Sequence, residues 1–315
     1  MPEFAHGTSA AVGSGAAPVA RTAGRRRAVL RHTAYPLLLT ALVVVVAATW
    51  HFHWDQGRVS PLFLVGTIGY LALLERVIPY ERAWHPGPGE WGWYGVYFLL
   101  TMAGGGLAQF GVTGAVRLLS PPSHPAVPLW AEVPSALLLG SLASYAVHRL
   151  GHRHRWLWRL HGVHHVPDKV NVGNNGVNHI VDVVLAQGTV QVALALAGFS
   201  AASVFAAGLF VVAQGYFVHA NIDVRLGWLN HVVAGPEQHR LHHSTDLAEA
   251  GHYGSDLSVW DHLFGSYTWH PGRRPSAVGL QDPASFPGTG AVVESLLQPW
   301  RRPRQQAAAP AAPPR

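Results

Sequence analysis

The sequence predicts an all-α protein, an integral membrane helical bundle with a cytoplasmic histidine-rich helical cap. Apolar stretches of spanning length recur between residues 35 and 218, and a bilayer core takes roughly 20 residues to cross. Charged residues form only 12% of the 315, where soluble domains carry about a quarter. Of 21 histidines, 15 lie between His148 and His270. A large soluble helical core would need more acids, and would not hold Leu42–Ala48 without one polar side chain.

Residues 1–33 are rich in Ala, Gly and Ser, then basic through Arg21, Arg25, Arg26, Arg27 and Arg31, and read as a disordered tail with no cleavage site. The N-terminal transmembrane helices occupy residues 34–133. The first span is Tyr35 to about Trp50, the second Leu62–Ile78, the third Tyr94 to about Val116. The fourth, Val133–Val147, leads into a histidine-rich domain over residues 134–270. Ile180–Val218 is long enough for two more, with Gly198-Phe199-Ser200 as the turn between them. Trp50, Trp54, Trp91, Trp93 and Trp130 stand at the ends of these runs, where an indole sits half in water. Residues 271–315, rich in Pro, Ala and Arg, cannot bury enough to fold alone; they read as a tail, with Ala291–Leu297 as a short docking helix.

The formal net charge of +6 comes from 22 Lys and Arg, of which only Lys169 is lysine, against 16 acids. Arginine placement orients the bundle. With the N-terminus inside, the outer loops 51–61 and 117–132 carry only Arg58 and Arg117, and the same parity puts every clustered histidine on the cytoplasmic side. Such a basic inner face suits an acidic partner or anionic lipid. The run Arg153–Trp158 is basic and aromatic, but between two histidine motifs at a membrane surface it reads as an anchor, not a nucleic-acid site.

Zero cysteines exclude disulfides, thiolate-ligated haem, cysteine-bound iron–sulfur or zinc sites and a cysteine nucleophile. No His-Glu dipeptide, G-x-S-x-G or phosphate-binding loop occurs, and Gly87-Pro-Gly89-Glu-Trp-Gly92 matches a dinucleotide fingerprint without the strand it requires. The chemistry lies in four segments: His148-x3-His152, His161-x2-His164-His165, His219-Ala-Asn221, and His239-x2-His242-His243-Ser244. Positions three and four apart share a helix face, so each cluster presents imidazoles to one side. At this histidine frequency about 0.1 copies of H-x-x-H-H are expected in the chain; two occur. A metal needs several neutral nitrogens converging at about 2 Å. Eight imidazoles (His148, His152, His161, His164, His165, His239, His242 and His243) exceed one ion's needs, and with His219 and His179 added they point to two adjacent ions.

In this order and spacing the motifs closely resemble the fatty acid hydroxylase/sterol desaturase superfamily of membrane non-haem di-iron oxidases. Tyr253-Gly254 and Val259-Trp260-Asp261-His262-Leu263-Phe264-Gly265-Ser266 resemble that family's N-Y-G and W-D-x-L-F-G-T elements. The resemblance covers roughly residues 144–269. Two departures stand out: Val177-Asn178-His179-Ile180 where relatives commonly carry R-x-H-P, and His252 where they carry asparagine, which leaves open whether His252 adds a nitrogen near the metals. The resemblance implies two iron ions, O2 as co-substrate, electrons from an external ferredoxin or cytochrome-type reductase, and hydroxylation or desaturation of a lipid, sterol or other isoprenoid. Asp223, Asp246, Asp256 and Asp261, with Asn221, are candidates to hold the outer ring nitrogens in the right tautomer. The alternatives are a zinc-dependent membrane hydrolase, a metal transporter and a non-catalytic scaffold. Transport fits poorly, because the ligands lie beyond the span ends and not at mid-bilayer.

Overall fold

The computed structural model describes residues 18–119 and 127–301, with side chains for all but 18–23, 25, 26 and 119. Among these the secondary structure is helical, with only isolated bridges between extended segments. The main helices are α1 (Pro18–His51), α2 (Gln56–Val77), α3 (Pro88–Leu119), α4 (Leu129–Arg153), α5 (Arg155–His161), α6 (Ile180–Leu196), α7 (Ala201–His219), α8 (Pro236–His242), α9 (Val259–Leu263) and α10 (Val292–Leu297).

All six expected apolar stretches form helices, but only α1 from Arg27, α2, α3 and α7 are both long and apolar enough to cross a bilayer. With its 17 residues α6 is apolar but shorter, and α4 gives its last turns, with Arg149, His152 and Arg153, to the cap. The break between α6 and α7 falls at Gly198, which adopts a φ of +70°, and Ser200 then caps α7 by accepting the Ser203 N–H. Asp55 starts α2 in the same way, accepting the Arg58 N–H at 2.8 Å.

The tails are shorter than expected. α1 extends back to Pro18, so residues 18–33 are helix; Tyr70 of α2 donates to the Ala34 carbonyl, and Arg31 pairs with Asp223. At the other end residues 277–300 form a strap across the cap. Gly279 N–H donates to the His243 carbonyl, Phe286 packs with Val163 and Val177, and α10 forms at the expected docking helix. A segment that cannot fold alone folds here because the cap offers it a surface. Residues 1–17 and 302–315 of the expected tails, and 120–126 of the expected outer loop, lie outside the described residues.

The core centres on α7, which packs against α1, α2 and α4 through Leu38, Leu71, Phe205, Leu209 and Phe217. The outer faces remain apolar, as at Leu62, Leu99 and Phe110. α3 and α6 approach closely at Gly104, where a Cβ would stand 3.0 Å from Val183 Cβ and 3.1 Å from the Ile180 carbonyl. Small residues at such crossings let helix backbones approach where lipid gives no hydrophobic drive. This crossing sets the start of α6, and with it Asp182, beside the histidines. The protein is a multi-pass membrane protein with the histidine cap at one end of the bundle.

Candidate metal centre

Nine histidines converge in two adjacent groups that could each hold a metal ion. One comprises His148, His152, His161, His165 and His242; the other His164, His219, His239 and His243. Within each group the ligand atoms lie within 4.8 Å of one another. The local structure explains the sorting. His148 and His152 share a face of α4, and their rings stand 5.1 Å apart. Each H-x-x-H-H motif, however, is divided. His161 and His165 turn to the first group and His164 to the second, while His242 joins the first and His239 and His243 the second. Neighbouring residues on a tight helical turn point about 100° apart, so a doublet reaches two ions where a single face would reach one. The 3-10 turn Gly162–His165 and the His243 position after α8 provide that divergence.

Hydrogen bonds set the tautomers. Oxygen acceptors face Nδ1 of His148 (Tyr253 O, 2.6 Å), His161 (Asp182 Oδ2, 3.0 Å), His164 (Val177 O, 3.1 Å), His219 (Asn174 Oδ1, 3.1 Å) and His242 (Gly251 O, 3.2 Å). A carbonyl only accepts, so these Nδ1 atoms carry protons and Nε2 keeps its lone pair. In the first group the Nε2 atoms of all five histidines are buried with no hydrogen-bond partner. In the second, Nε2 of His164 lies 3.2 Å from that of His219, and His239 and His243 meet at 3.1 Å. His164 and His219 both carry the proton on Nδ1, so their facing Nε2 lone pairs repel unless a cation sits between them, and ligands sharing one ion at about 2.1 Å stand roughly 3 Å apart. The donor set fits a divalent transition metal in each group. Burial, and then the neighbouring imidazoles, hold His164, His165, His239, His242 and His243 well below the ordinary histidine range, so they are neutral at pH 7.

A cavity of about 290 Å³ opens beneath the histidines, between α2, α3, α4, α6 and α7. It touches His148 and His161 of the first group and His164 and His239 of the second. Its walls are largely apolar (Leu64, Val147, Val183, Val212), with Asn178 and Gln187 among them. A smaller cleft of about 50 Å³ reaches His152, His165 and His242 from the opposite side, beneath the strap.

The family model for fatty acid hydroxylases matches residues 133–266. Ornithine lipid hydroxylase OlsE of Rhizobium tropici is 32% identical over 280 residues, covering 84% of this chain and 81% of that protein. The chain belongs to the fatty acid hydroxylase superfamily. Human alkylglycerol monooxygenase is 27% identical over 42% of this chain and 30% of its own length, and the zebrafish protein 28% over 53% and 37%. The chain thus spans about a third of those two relatives. No solved structure matches. Hydroxylases and monooxygenases are oxidoreductases, and so is this member of the superfamily, which sets aside the hydrolase, transporter and scaffold readings.

Several residues expected at this fatty acid hydroxylase site stand elsewhere. His179 joins neither group: its Nδ1 accepts the Val181 N–H to cap α6, and its Nε2 meets the Leu296 carbonyl of the strap. None of the five residues expected to hold ring nitrogens hydrogen-bonds to any of the nine clustered histidines. Asn221 grips the backbone of Glu81, Asp223 pairs with Arg31 and Arg225, and Asp246 caps its own turn at Ala248. Asp256 accepts from Ser141. Asp261 acts at one remove, accepting the N–H groups of Tyr253 and Gly254 and so aiming the Tyr253 carbonyl at His148. His252 stands outside both groups, 3.7 Å from Asp261. Its φ of +64° accounts for the family's asparagine there, since Asn and His are among the few side chains found in that region.

The residues that do hold the rings carry little mark in the sequence. Asp182 begins α6, and Asn171 and Asn174 belong to a turn in which each side chain caps the other's backbone. The one available signal was the run Asn171-Val-Gly-Asn-Asn-Gly-Val-Asn178, four amides in eight residues between two histidine motifs.

Proposed function

We propose that this protein is an O2-dependent hydroxylase that holds two iron ions side by side in the two histidine groups and oxidises an unactivated C–H bond of a lipid. The observation that carries this reading is the pair of adjacent buried imidazole sets at the head of one largely apolar cavity, the first with all five Nε2 atoms free of hydrogen-bond partners. Iron bound there supplies the activation of O2 and the removal of a strongly bound hydrogen, which no side chain can perform. The chain's own residues do the rest. Leu64, Val147, Val183 and Val212 bind an acyl or isoprenoid segment and exclude water. Asp182, Asn174 and the carbonyls of Val177, Gly251 and Tyr253 keep the ring protons away from the metal side. One oxygen atom enters the C–H bond and the other leaves as water, with two electrons from an external carrier and two protons from solvent.

Hydroxylation is favoured over desaturation because the relatives are named hydroxylase and monooxygenase. The electron donor is an acidic one-electron carrier such as a ferredoxin, or a cytochrome-type reductase, docking on the basic cap. On the arginine asymmetry, the cap and the N-terminus lie in the cytoplasm. The test combines metal analysis of purified protein with mass spectrometry of lipids from cells with and without it. About two irons per chain and a lipid gaining one oxygen atom are expected. Tight zinc occupancy in iron-rich medium, with no lipid shifted, would overturn the proposal.

A further inference from the structure

We propose that residues 228–235 together with 256–264 form a wedge that dips below the level of the histidines and lays its outer face against lipid. Two helices, α4 and α7, set the depth of the wedge. Ser141 on α4 precedes His148 by seven residues, which places it about 10 Å toward the bilayer at ~1.5 Å per residue. The wedge reaches that level: Ser141 Oγ donates to Asp256 Oδ1 at 2.6 Å and accepts from Trp260 Nε1 at 3.1 Å. On α7, Gln214 precedes His219 by five residues, and its Nε2 donates to the Ala234 carbonyl at 2.5 Å. Phe264 stacks on Tyr145, near one turn below His148, with centroids 5.5 Å apart.

The outward side chains of the wedge are apolar except for His231 and His262. Trp228 is 71% exposed and Leu263 69%, with Val232 and Phe264 exposed beside them. An apolar face continuous with the outside of a spanning bundle meets lipid. Backbone entering the membrane must satisfy its own polar groups, and the two segments of the wedge pair several of theirs with each other. Ala234 N–H donates to the Asp256 carbonyl, Ser258 N–H to Val232 O, and buried Asp261 takes the N–H groups of Tyr253 and Gly254. His231 and His262, stacked with Tyr267, give the wedge the half-wet rim that interfacial aromatics provide. Arg149 donates to the Phe264 carbonyl at 3.1 Å, tying the wedge to α4. Ser255, which immediately precedes the second wedge segment, lines the cavity beneath the histidines.

The chain contains no cysteine, so single nitroxide labels report depth directly. W228C and L263C are compared in phosphatidylethanolamine/phosphatidylglycerol liposomes with L99C, on the exposed face of α3, and Q281C, exposed on the strap. Collision with lipid-soluble O2 is measured against water-soluble nickel chelate. Both wedge labels are expected to show an O2-to-nickel ratio several-fold above that of Q281C and approaching that of L99C. A ratio equal to that of Q281C at either position overturns the proposal. So does shielding from both reagents, which would mean that protein covers the face. The replaced side chains are exposed, and a melting curve for each variant matching that of the parent chain shows that the fold is unchanged.

Discussion

Asp182 and His179 stand three residues apart at the start of α6, and their roles differ: one orients a ligand, the other binds the strap. Removing the carboxylate leaves the ring of His161 free to turn, and partners of this kind are worth about 10–100-fold in metal affinity. Asp182→Asn is therefore expected to weaken the first group's metal by that factor while the second group keeps its own, so that titrated iron falls from about two to about one per chain. His242→Ala should abolish lipid oxidation and empty the first group. His179→Ala should keep both metals and lower only the melting temperature, because it loses a helix cap of about 1 kcal/mol and a hydrogen bond to the strap. If His179→Ala lost metal as His242→Ala does, the placement of His179 outside the centre would be wrong. Spacing alone does not separate these histidines; what differs is which acceptor faces each ring.

Elements rather than single side chains carry the next constraint. The site depends on the α3–α6 crossing, where Gly104 leaves no room for a side chain against Val183 and Ile180. Gly104→Ile should cost about 1–3 kcal/mol by overpacking. It should also displace Asp182 with the start of α6, so metal lost from the first group should exceed that from the second. Equal loss from both would show that α6 does not position the site. The strap is a second such element. A chain ending at Gly290 leaves Arg159, which donates to the carbonyls of Gln298 and Arg301, and His179 Nε2 without partners. Each orphaned buried group costs about 1–3 kcal/mol, so the truncated protein is expected to melt several degrees lower while still binding metal.

For the molecule as a whole, buried imidazoles packed together make stability depend on pH. His164, His165, His239, His242 and His243 stay neutral in the fold because burial, and then their neighbours' charge, holds them well below the ordinary range. The unfolded chain takes protons from about pH 6.5 downward, so there it binds more protons than the native state. Stability is therefore greatest above that value and falls as pH drops through 6 and 5, by about 1.4 kcal/mol per pH unit for each imidazole that stays neutral. Melting temperatures of metal-free protein between pH 7.5 and 5 check this, and a flat profile would contradict it. The apolar runs, the turn at Gly198 and the ligand motifs were legible in the chain, because hydrophobic length and residue spacing are local properties. The number of clustered imidazoles points to two adjacent ions. The spacing could not tell which member of each His-His doublet serves which group, that His179 belongs to the strap, or that residues 277–300 fold at all. Those follow from contacts such as His161–Asp182, His219–Asn174 and His179–Leu296, which span 21, 45 and 117 residues. Local patterns constrain what a segment can become, but which polar atom meets which is settled only when distant segments close around one another.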